Sequence, residues 1–323
     1  MNERSVHWDV FNGDADGICA LLQLRLAKPR VSRLVTGVKR DISLLDRVDA
    51  DPDSRVTVLD ISLDKNRDHL QRILDLGSDV LYVDHHFAGD IPQTPNLETI
   101  IDGAPHVCTS ILVNNYLQGM YQLWAIVGAC GDNLKRGAAE LAKLEKISES
   151  QLSSLERLGV LINYNGYGSH IGDLHFHPAS LYELMLPYEN PFEFILHSPD
   201  IYEKLDSGYN DDFCFAENAK TLVTDDSVAI YVLPDESWAR RIGGVYGNYL
   251  ANKNPSRAHC VFTEKSNGSY LVSLRAPLTN KTGAAALCRQ FPSGGGREAA
   301  AGINDLPVNM FDLFVSKLKE AYK

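Results

Sequence analysis

The sequence predicts an α/β protein with a parallel, doubly wound domain, a helical connector and a smaller α/β domain with a mixed sheet. Strand-like and helix-like segments alternate up to about residue 130, which is typical of parallel strands joined by crossover helices. Residues from about 134 to 210 have mostly helical patterns, and strand patterns return after residue 211. We therefore expect a first domain at residues 1–150, the connector at 151–210 and the second domain at 211–323.

Composition limits the classes of function. The chain has 323 residues, which suits two domains, and its 44% hydrophobic and 23% charged residues are ordinary for a globular protein. The net charge of -11 argues against a protein that coats long nucleic acid, although bound divalent ions would still permit an anionic substrate. We expect neither a membrane span nor a secretory signal at residues 1–4. The six cysteines include no Cys-x-x-Cys pair and predict free thiols in a reducing cytoplasm.

The elements of the first domain are predicted from the spacing of apolar residues. Strands are expected at residues 6–11, 33–37, 55–60, 80–83 and 98–102, and helices at 18–26, 65–76 and 109–117. The hydroxyls of Thr109 and Ser110 suit the N-cap of the last of these helices. A further apolar stretch, residues 123–127, leads into a turn of small residues that presents Asp132.

The second domain contains a predicted hairpin. Strands are expected at residues 228–233, 259–263 and 269–275, and the last two are joined through a turn at Asn267 and Gly268. A helix is expected at residues 284–290.

Carboxylates follow several of the apolar segments in the first domain. They are Asp14, Asp16, Asp60, Asp84 and Asp132. Right-handed crossovers place the ends of parallel strands at one edge of the sheet, so we expect these acids to lie together. A turn or a cap explains any one of them but explains the set poorly. Oxygen ligands with an imidazole suit Mn²⁺ or Mg²⁺, and a two-metal carboxylate site activates water for phosphoryl transfer.

Two other pairs have both a structural and a functional interpretation. Lys39 and Arg40 are either a solvated basic pair or contacts to a substrate phosphate. His175 and His177 are either structural or metal ligands on one face of a short strand.

A glycine-rich segment in the second domain also has two interpretations. Gly294, Gly295 and Gly296 stand beside Arg297 and before an alanine-rich run that predicts a helix. Such a loop offers backbone N–H groups to an anion, whereas a flexible linker is the alternative.

Taken together, these motifs resemble those of the DHH phosphoesterase superfamily. Residues 12–17, 59–60, 84–86 and 131–132 are similar to its four successive motifs. Residues 294–302 look like the glycine-rich motif of the associated DHHA1 domain, and residues 272–275 resemble the strand before it. The match covers nearly the whole chain and is closest to the RecJ-like and nanoRNase branch.

The resemblance implies a role for each residue of the acidic set. Asp60 would bridge two metal ions, and Asp14 would bind the first of them. The second ion would be completed by Asp16, His85 and Asp132.

The resemblance also implies catalytic and substrate-binding residues. Asp84 would orient the site, and His86 would contact the scissile phosphate. The substrate-binding candidates are Gly294, Gly295, Gly296, Arg297, Arg275, Lys39 and Arg40.

The chain departs from the family pattern at several positions. Many relatives place a His or Asp shortly before the Asp-x-Asp as a further ligand of the first metal, whereas Asn12 offers only a weaker carbonyl oxygen here. Arg297 stands where the family usually has His, and it could hold a phosphate through two hydrogen bonds. Residues 163–167 resemble an Asn-x-x-Gly-Arg segment of RecJ-like enzymes, with Tyr167 in place of the Arg.

The function implied is that of a cytoplasmic Mn²⁺-dependent phosphodiesterase with one or two ions, Mg²⁺ being the alternative metal. Its substrates would be short single-stranded oligonucleotides or small nucleotide phosphoesters, bound in an interdomain cleft. The alternatives are a RecJ-like single-strand exonuclease, a nucleoside bisphosphate phosphatase and a non-catalytic nucleotide-binding relative. No membrane partner is expected, and a homodimer is left open.

Overall fold

The computed structural model describes residues 6–323, so the predicted absence of a signal at residues 1–4 lies outside the described residues. The chain forms two compact units that divide between Asp206 and Ser207. The separate connector predicted at residues 151–210 and the predicted interdomain cleft stay predictions.

The first unit contains a parallel sheet of five strands in the order β2-β1-β3-β4-β5. The strands are β1 (His7–Phe11), β2 (Arg33–Val35), β3 (Arg55–Leu59), β4 (Asp79–Asp84) and β5 (Leu97–Ile101). Strand β2 lies on one side of β1, whereas β3, β4 and β5 lie on the other side, so the order of the strands reverses between β1 and β3. In such sheets ligands bind outside the carboxyl ends of the strands at the point of reversal. The predicted parallel, doubly wound sheet is confirmed.

Nine helices of the described chain belong to the first unit or cross its end. They are α1 (Ala15–Ala27), α2 (Leu63–Asp75), α3 (Thr109–Tyr116), α4 (Gln122–Gly131), α5 (Lys135–Glu145), α6 (Glu149–Asn165), α7 (Pro178–Met185), α8 (Pro191–His197) and α9 (Pro199–Glu217).

Helices cover both faces of the parallel sheet because strand side chains alternate between its faces. Val10, Val58 and Tyr82 pack with Leu70 and Ile73 of α2 in one buried cluster. On the other face, α1 packs against α3 and α4, and α4 packs against α6. The ends of β1, β3 and β4 therefore open at one edge between two helical layers.

The second unit contains a sheet of six strands in the order β10-β11-β9-β8-β7-β6. The sheet has both parallel and antiparallel pairs, so the predicted mixed sheet is confirmed. Its elements are β6 (Lys220–Thr224), β7 (Val228–Leu233), α10 (Ser237–Lys253), β8 (Ala258–Glu264), β9 (Ser269–Arg275), α11 (Ala284–Cys288), β10 (Gly294–Gly296), β11 (Ala300–Pro307) and α12 (Phe311–Ala321). The β8–β9 hairpin is confirmed as an antiparallel pair, and its turn residue Gly268 has a φ of 77°. Phe262, Val272, Ile303 and Phe314 belong to one buried core that includes residues of α11 and α12.

Two local expectations are wrong. The turn of small residues predicted before Asp132 is part of a helix, because the apolar stretch at residues 123–127 continues as α4 through Gly131. The alanine-rich run after the glycines is strand β11 and not a helix, because Ala300 and Ala301 pair with Arg275 and Leu274 of β9. Pairing with a neighbouring strand here overrides the helix preference of alanine.

The remaining sequence-based expectations concern histidines, cysteines and membranes. His177 is the N-cap of α7, and its Nδ1 accepts a hydrogen bond from the Ala179 N–H, so the short strand predicted around His175 and His177 is wrong. The six cysteines are free, and all except Cys214 are buried. Within residues 6–323, no helix has the length and apolar character needed to cross a membrane.

Candidate metal centre

The turn after β1 presents two carboxylates that bond to different parts of the chain. Asp14 is the N-cap of α1, and its Oδ1 accepts hydrogen bonds from the backbone N–H groups of Asp16 (3.0 Å) and Gly17 (3.1 Å). Glycine is needed at position 17 because a Cβ there would lie 2.3 Å from the Asn12 carbonyl oxygen. The tight turn thereby fixes Asp14 at the start of the helix.

Asp16 links this turn to helix α3. Its two carboxylate oxygens accept hydrogen bonds from the backbone N–H groups of Thr109 and Ser110, both at 2.8 Å, and the Ser110 hydroxyl donates to its carbonyl oxygen. The expected N-cap role of the Thr109 and Ser110 hydroxyls is therefore wrong. The cap of α3 is a carboxylate that comes from a distant part of the chain.

Asp60 directly follows β3 in a left-handed conformation. Its φ is 60°, a value that Asp tolerates better than most residues that have a side chain. Its backbone N–H donates to the Val83 carbonyl, and its Oδ1 accepts a hydrogen bond from the Thr109 hydroxyl at 3.2 Å. Pairing with β4 and contact with α3 thus hold a buried carboxylate at the reversal point of the sheet.

His85 presents one ring nitrogen to the carboxylates. Its Nδ1 lies 3.0 Å from the Val107 carbonyl oxygen, which assigns the proton to Nδ1 and leaves a lone pair on Nε2. That Nε2 is 3.4 Å from Asp60 Oδ1 and 3.9 Å from both Asp16 Oδ2 and Asp132 Oδ2. A backbone carbonyl on the far nitrogen is the arrangement that orients a metal-binding histidine.

His86 is paired with Asp84 at the end of β4. Its Nδ1 lies 2.7 Å from Asp84 Oδ1, and its ring packs edge-on against His85 with centroids 4.5 Å apart. Asp84 is fully buried, whereas the His86 side chain is 36% exposed. The buried acid thus orients an accessible imidazole.

Lys39 lies between acids from two segments. Its Nζ is 2.5 Å from Asp14 Oδ2, 3.0 Å from Asn163 Oδ1 and 3.7 Å from Asp132 Oδ1. Asp132, at the C-terminal end of α4, is thereby close to both the ammonium and His85. The predicted contact of Lys39 with a substrate phosphate stays a prediction, and in this structure the amine belongs to the acidic cluster.

Ionisation of the acids reflects burial and mutual repulsion. Burial, together with the neighbouring carboxylates, raises the pKa of Asp60 well above its ordinary value. Burial also raises the pKa of Asp132, against the opposing effect of Lys39. Burial disfavours ionisation of Asp14 as well, but the Lys39 ammonium and hydrogen bonds to the charged form hold its pKa below the ordinary value. A buried cluster of this kind is stabilised by cations.

The donor set suits a hard divalent ion beside His85. Asp60, His85 and His86 each offer one ligand atom, and these atoms lie within 4.8 Å of one another. Nδ1 of His86 is already paired with Asp84. The oxygens of Asp60, Asp16 and Asp132 are therefore better placed than His86 to bind an ion together with His85. Carboxylate oxygens with one imidazole are ligands that Mn²⁺ and Mg²⁺ accept.

Comparison with solved structures identifies the fold. An exonuclease RecJ bound to manganese matches with a TM-score of 0.64 at 15% identity, covering 98% of this chain and 90% of that chain. The chain has a RecJ-like fold. A pGpG-specific phosphodiesterase, PggH from Vibrio cholerae, matches with a TM-score of 0.59 at 12% identity, covering 98% of this chain and 99% of that chain.

The RecJ-like fold also matches a longer protein. RecJ from Thermus thermophilus, in complex with Mn²⁺, has a TM-score of 0.60 at 15% identity, with 98% of this chain covered. This chain spans about half (52%) of that RecJ. No family model and no curated protein matches the sequence.

The substrate-binding candidates on the second unit of the RecJ-like fold have different surroundings. Gly294, Gly295 and Gly296 form an edge strand paired with β11, and Arg297 is an exposed residue of the turn between the two strands. The guanidinium of Arg275 donates to Asn248 Oδ1, the Ser273 hydroxyl and the carbonyls of Gly244 and Leu274, so it holds α10 against the sheet. Binding of substrate by these residues stays a prediction.

Three further candidate residues lie in the first unit. Arg40 is exposed next to Lys39. The Asn12 side chain is buried, its Nδ2 donates to the Lys39 carbonyl oxygen at 3.1 Å, and its Oδ1 has no hydrogen-bond partner within the described chain. His175, which was left open between two interpretations, has its Nε2 2.8 Å from the Tyr164 hydroxyl.

Several participants of the site were missed in the sequence. The Val107 carbonyl and the N–H groups of α3 are backbone groups, and backbone groups cannot be identified from residue types. Asn163 was detectable, because it begins the segment similar to Asn-x-x-Gly-Arg, and Tyr167 of that segment lies with its ring 5.5 Å from the Lys39 amine.

A cavity of about 310 Å³ lies elsewhere in the first unit. It is lined by residues at the start of β3 and β4 and by basic side chains that include Arg25, Lys28, Arg30 and Arg55. None of the acids of the candidate metal centre lines it. The cavity is therefore at the opposite edge of the sheet from the strand ends that gather the acids.

Proposed function

We propose that this protein is a metal-dependent phosphoesterase. The observation that carries the proposal is the position of His85: its Nε2 lies within 3.4–3.9 Å of carboxylates from three separate segments, while Val107 fixes its other nitrogen. Capping of α3 accounts for Asp16, but it does not account for the two further acids, Asp60 and Asp132, beside the same imidazole. The RecJ-like fold supports the same proposal.

We propose short single-stranded oligonucleotides or small nucleotide phosphoesters as substrates. The net charge of -11 disfavours extended contact with a long polyanion. Two structures with the same fold are described as an exonuclease and as a phosphodiesterase specific for pGpG, so a phosphodiester bond is the favoured target. In this proposal, Arg297 and the adjoining glycine hairpin hold a substrate phosphate, and the protein works in the cytoplasm.

The proposed roles divide between metal binding and substrate binding. Asp60 and His85 are the central ligands, and Asp16 and Asp132 complete the set. The proposed resident ion is Mn²⁺, with Mg²⁺ as the alternative. When bound, such an ion supplies a water molecule of lowered pKa and positive charge for the developing phosphate oxyanion.

His86 is proposed to contact the scissile phosphate. Its Nδ1 lies 2.7 Å from the buried Asp84, which fixes the orientation of the ring, and we propose Nε2 as the nitrogen that contacts the phosphate. The partial exposure of His86 allows a phosphate to reach the ring. When both ring nitrogens carry a proton, the imidazolium fixed by Asp84 would donate from Nε2 to a phosphate oxygen without a cost of reorganisation during the reaction.

The test is hydrolysis of defined substrates by the purified full chain. The protein is incubated with Mn²⁺ or Mg²⁺ and with end-labelled oligonucleotides from dimers to long strands, a cyclic dinucleotide and a nucleoside bisphosphate. Asp60→Ala removes the central ligand, and Asp68→Ala, an exposed acid of α2, serves as the matched control. We expect cleavage of dimers by the wild type and the control, and none by Asp60→Ala.

Each alternative has its own outcome. Faster cleavage of long strands than of dimers would favour the single-strand exonuclease, and release of phosphate from the bisphosphate alone would favour the phosphatase. No cleavage by protein that demonstrably binds the metal would leave the non-catalytic nucleotide-binding relative. Equal activity of Asp60→Ala and the wild type would show that the reaction occurs elsewhere.

A further inference from the structure

The ammonium of Lys39 is surrounded like a bound cation. It contacts one oxygen each of Asp14 (2.5 Å), Asn163 (3.0 Å) and Asp132 (3.7 Å), which come from the turn after β1 and from helices α6 and α4. Carboxylate and amide oxygens are also the donors that a hard divalent ion takes in proteins. The side chain is 25% exposed, so this is a largely enclosed position.

The backbone around Lys39 is fixed in the same place. Its N–H donates to the Gly166 carbonyl at 2.8 Å, and its carbonyl oxygen accepts from Asn12 Nδ2 at 3.1 Å. These bonds attach the Lys39 segment to the end of α6 and to the end of β1. The amine is therefore delivered to Asp14 by an anchored segment and not by a free surface side chain.

Asn12, on the same side of the cluster, offers no charged ligand to a metal ion. Its amide nitrogen is used by Lys39, and its buried Oδ1 is neutral and has no hydrogen-bond partner in the described part of the chain. A carboxylate or an imidazole at this position would supply a strong ligand, whereas an amide oxygen adds no charge to hold a second divalent ion.

We propose that the acidic cluster holds a single resident divalent ion, on the side of Asp60 and His85, and that Lys39 is the fixed cation on the side of Asp14. This inference rests on the proposed function, because it concerns the same metal centre. An ammonium on Asp14 and a second divalent ion on the same carboxylate would repel each other at close range. One of the two cations of the centre would thus be a side chain of the protein itself, and Lys39 would stabilise a substrate phosphate in place of a second ion.

The test counts metal ions directly and does not depend on turnover. The full chain is freed of metal with EDTA and titrated with Mn²⁺ by calorimetry, and the bound ions are examined by electron paramagnetic resonance, which separates isolated Mn²⁺ from coupled pairs. We expect one Mn²⁺ per chain with the spectrum of an isolated ion. The double variant Asn12→Asp/Lys39→Met removes the ammonium and restores a carboxylate, and we expect it to bind two Mn²⁺ per chain as a coupled pair.

Controls separate this inference from folding and from the proposed function. Lys65→Met removes an exposed amine of α2 and should keep one ion per chain. Lys39→Gln, paired with Asn12→Asp, retains a hydrogen-bond donor beside Asp14 and replaces the first variant if that variant unfolds.

Two results would overturn the inference while leaving the metal centre intact. They are two coupled Mn²⁺ ions in the wild type, or a folded double variant that still binds only one. Absence of any Mn²⁺ binding by the wild type would instead contradict the metal centre itself, and with it the proposed function.

Discussion

Replacement of Asp16 should destabilise the first unit even when no metal is bound. The Asp16 carboxylate accepts the first two backbone N–H groups of α3, from Thr109 and Ser110, at 2.8 Å each. Both donor residues are fully buried, so an Asp16→Ala variant leaves two buried N–H groups without their carboxylate partner. Asp132, which is proposed to bind the same ion, is the C-cap residue of α4, and its carboxylate accepts no hydrogen bond from a helix N-terminus in the described chain.

The size of the effect follows from these two bonds. A buried donor left without its partner costs about 1–3 kcal/mol, which gives roughly 2–6 kcal/mol for two. Loss of the Asp16 charge also relieves repulsion, because this carboxylate helps to raise the pKa of Asp60. We expect a net loss of about 3 kcal/mol in the free energy of unfolding. For a unit of this size, that lowers Tm by roughly 6–12 °C.

The assay is thermal unfolding in EDTA of the wild type, Asp16→Ala and Asp132→Ala. Asp132→Ala should unfold at or above the wild-type temperature, because burial and neighbouring acids disfavour its charge. An Asp16→Asn variant keeps one acceptor oxygen and should lie between Asp16→Ala and the wild type. Equal Tm values for Asp16→Ala and Asp132→Ala would refute the capping role.

Three further predictions concern pH and the second unit. Burial and neighbouring carboxylates raise the pKa of Asp60, so its contribution to stability is present at acidic pH and is lost as pH rises. Asp60→Asn should therefore have a higher unfolding temperature than the wild type at pH 8 in EDTA, and the difference should be smaller near pH 4. A lower unfolding temperature of Asp60→Asn at pH 8 would contradict this. Burial, helped by Arg257, lowers the pKa of His259 to about 4. The free energy of unfolding of the wild type should therefore fall by up to about 3 kcal/mol between about pH 6.5 and pH 4. Denaturant titration should find a smaller fall in His259→Leu. Arg275→Ala should lower the free energy of unfolding of the second unit by about 2 kcal/mol, because its hydrogen bonds to Asn248 and Gly244 of α10 are lost. Urea unfolding would measure this loss. Unchanged stability with weakened nucleotide binding would instead support the predicted substrate contact.

The sequence by itself determined the parallel sheet and the gathering of acids at one edge. Both depend on local patterns: apolar strand segments alternate with helical ones, and the handedness of the crossovers then places the strand ends together. Asp14, Asp60 and Asp84 could be assigned to this edge because each belongs to the end of a strand or to the turn after it. The hairpin at Gly268 was predictable for the same reason, since its turn chemistry is local.

Only the tertiary structure decided how each acid is used. Asp16 bonds with a helix that begins 93 residues later, and the amine of Lys39 reaches Asn163, which is 124 residues away. The glycine-rich segment forms a strand and not a loop before a helix, because it pairs with β11. Partners so distant in sequence are selected by packing and by the need to satisfy buried charges and N–H groups, and residue types along the chain do not contain that information.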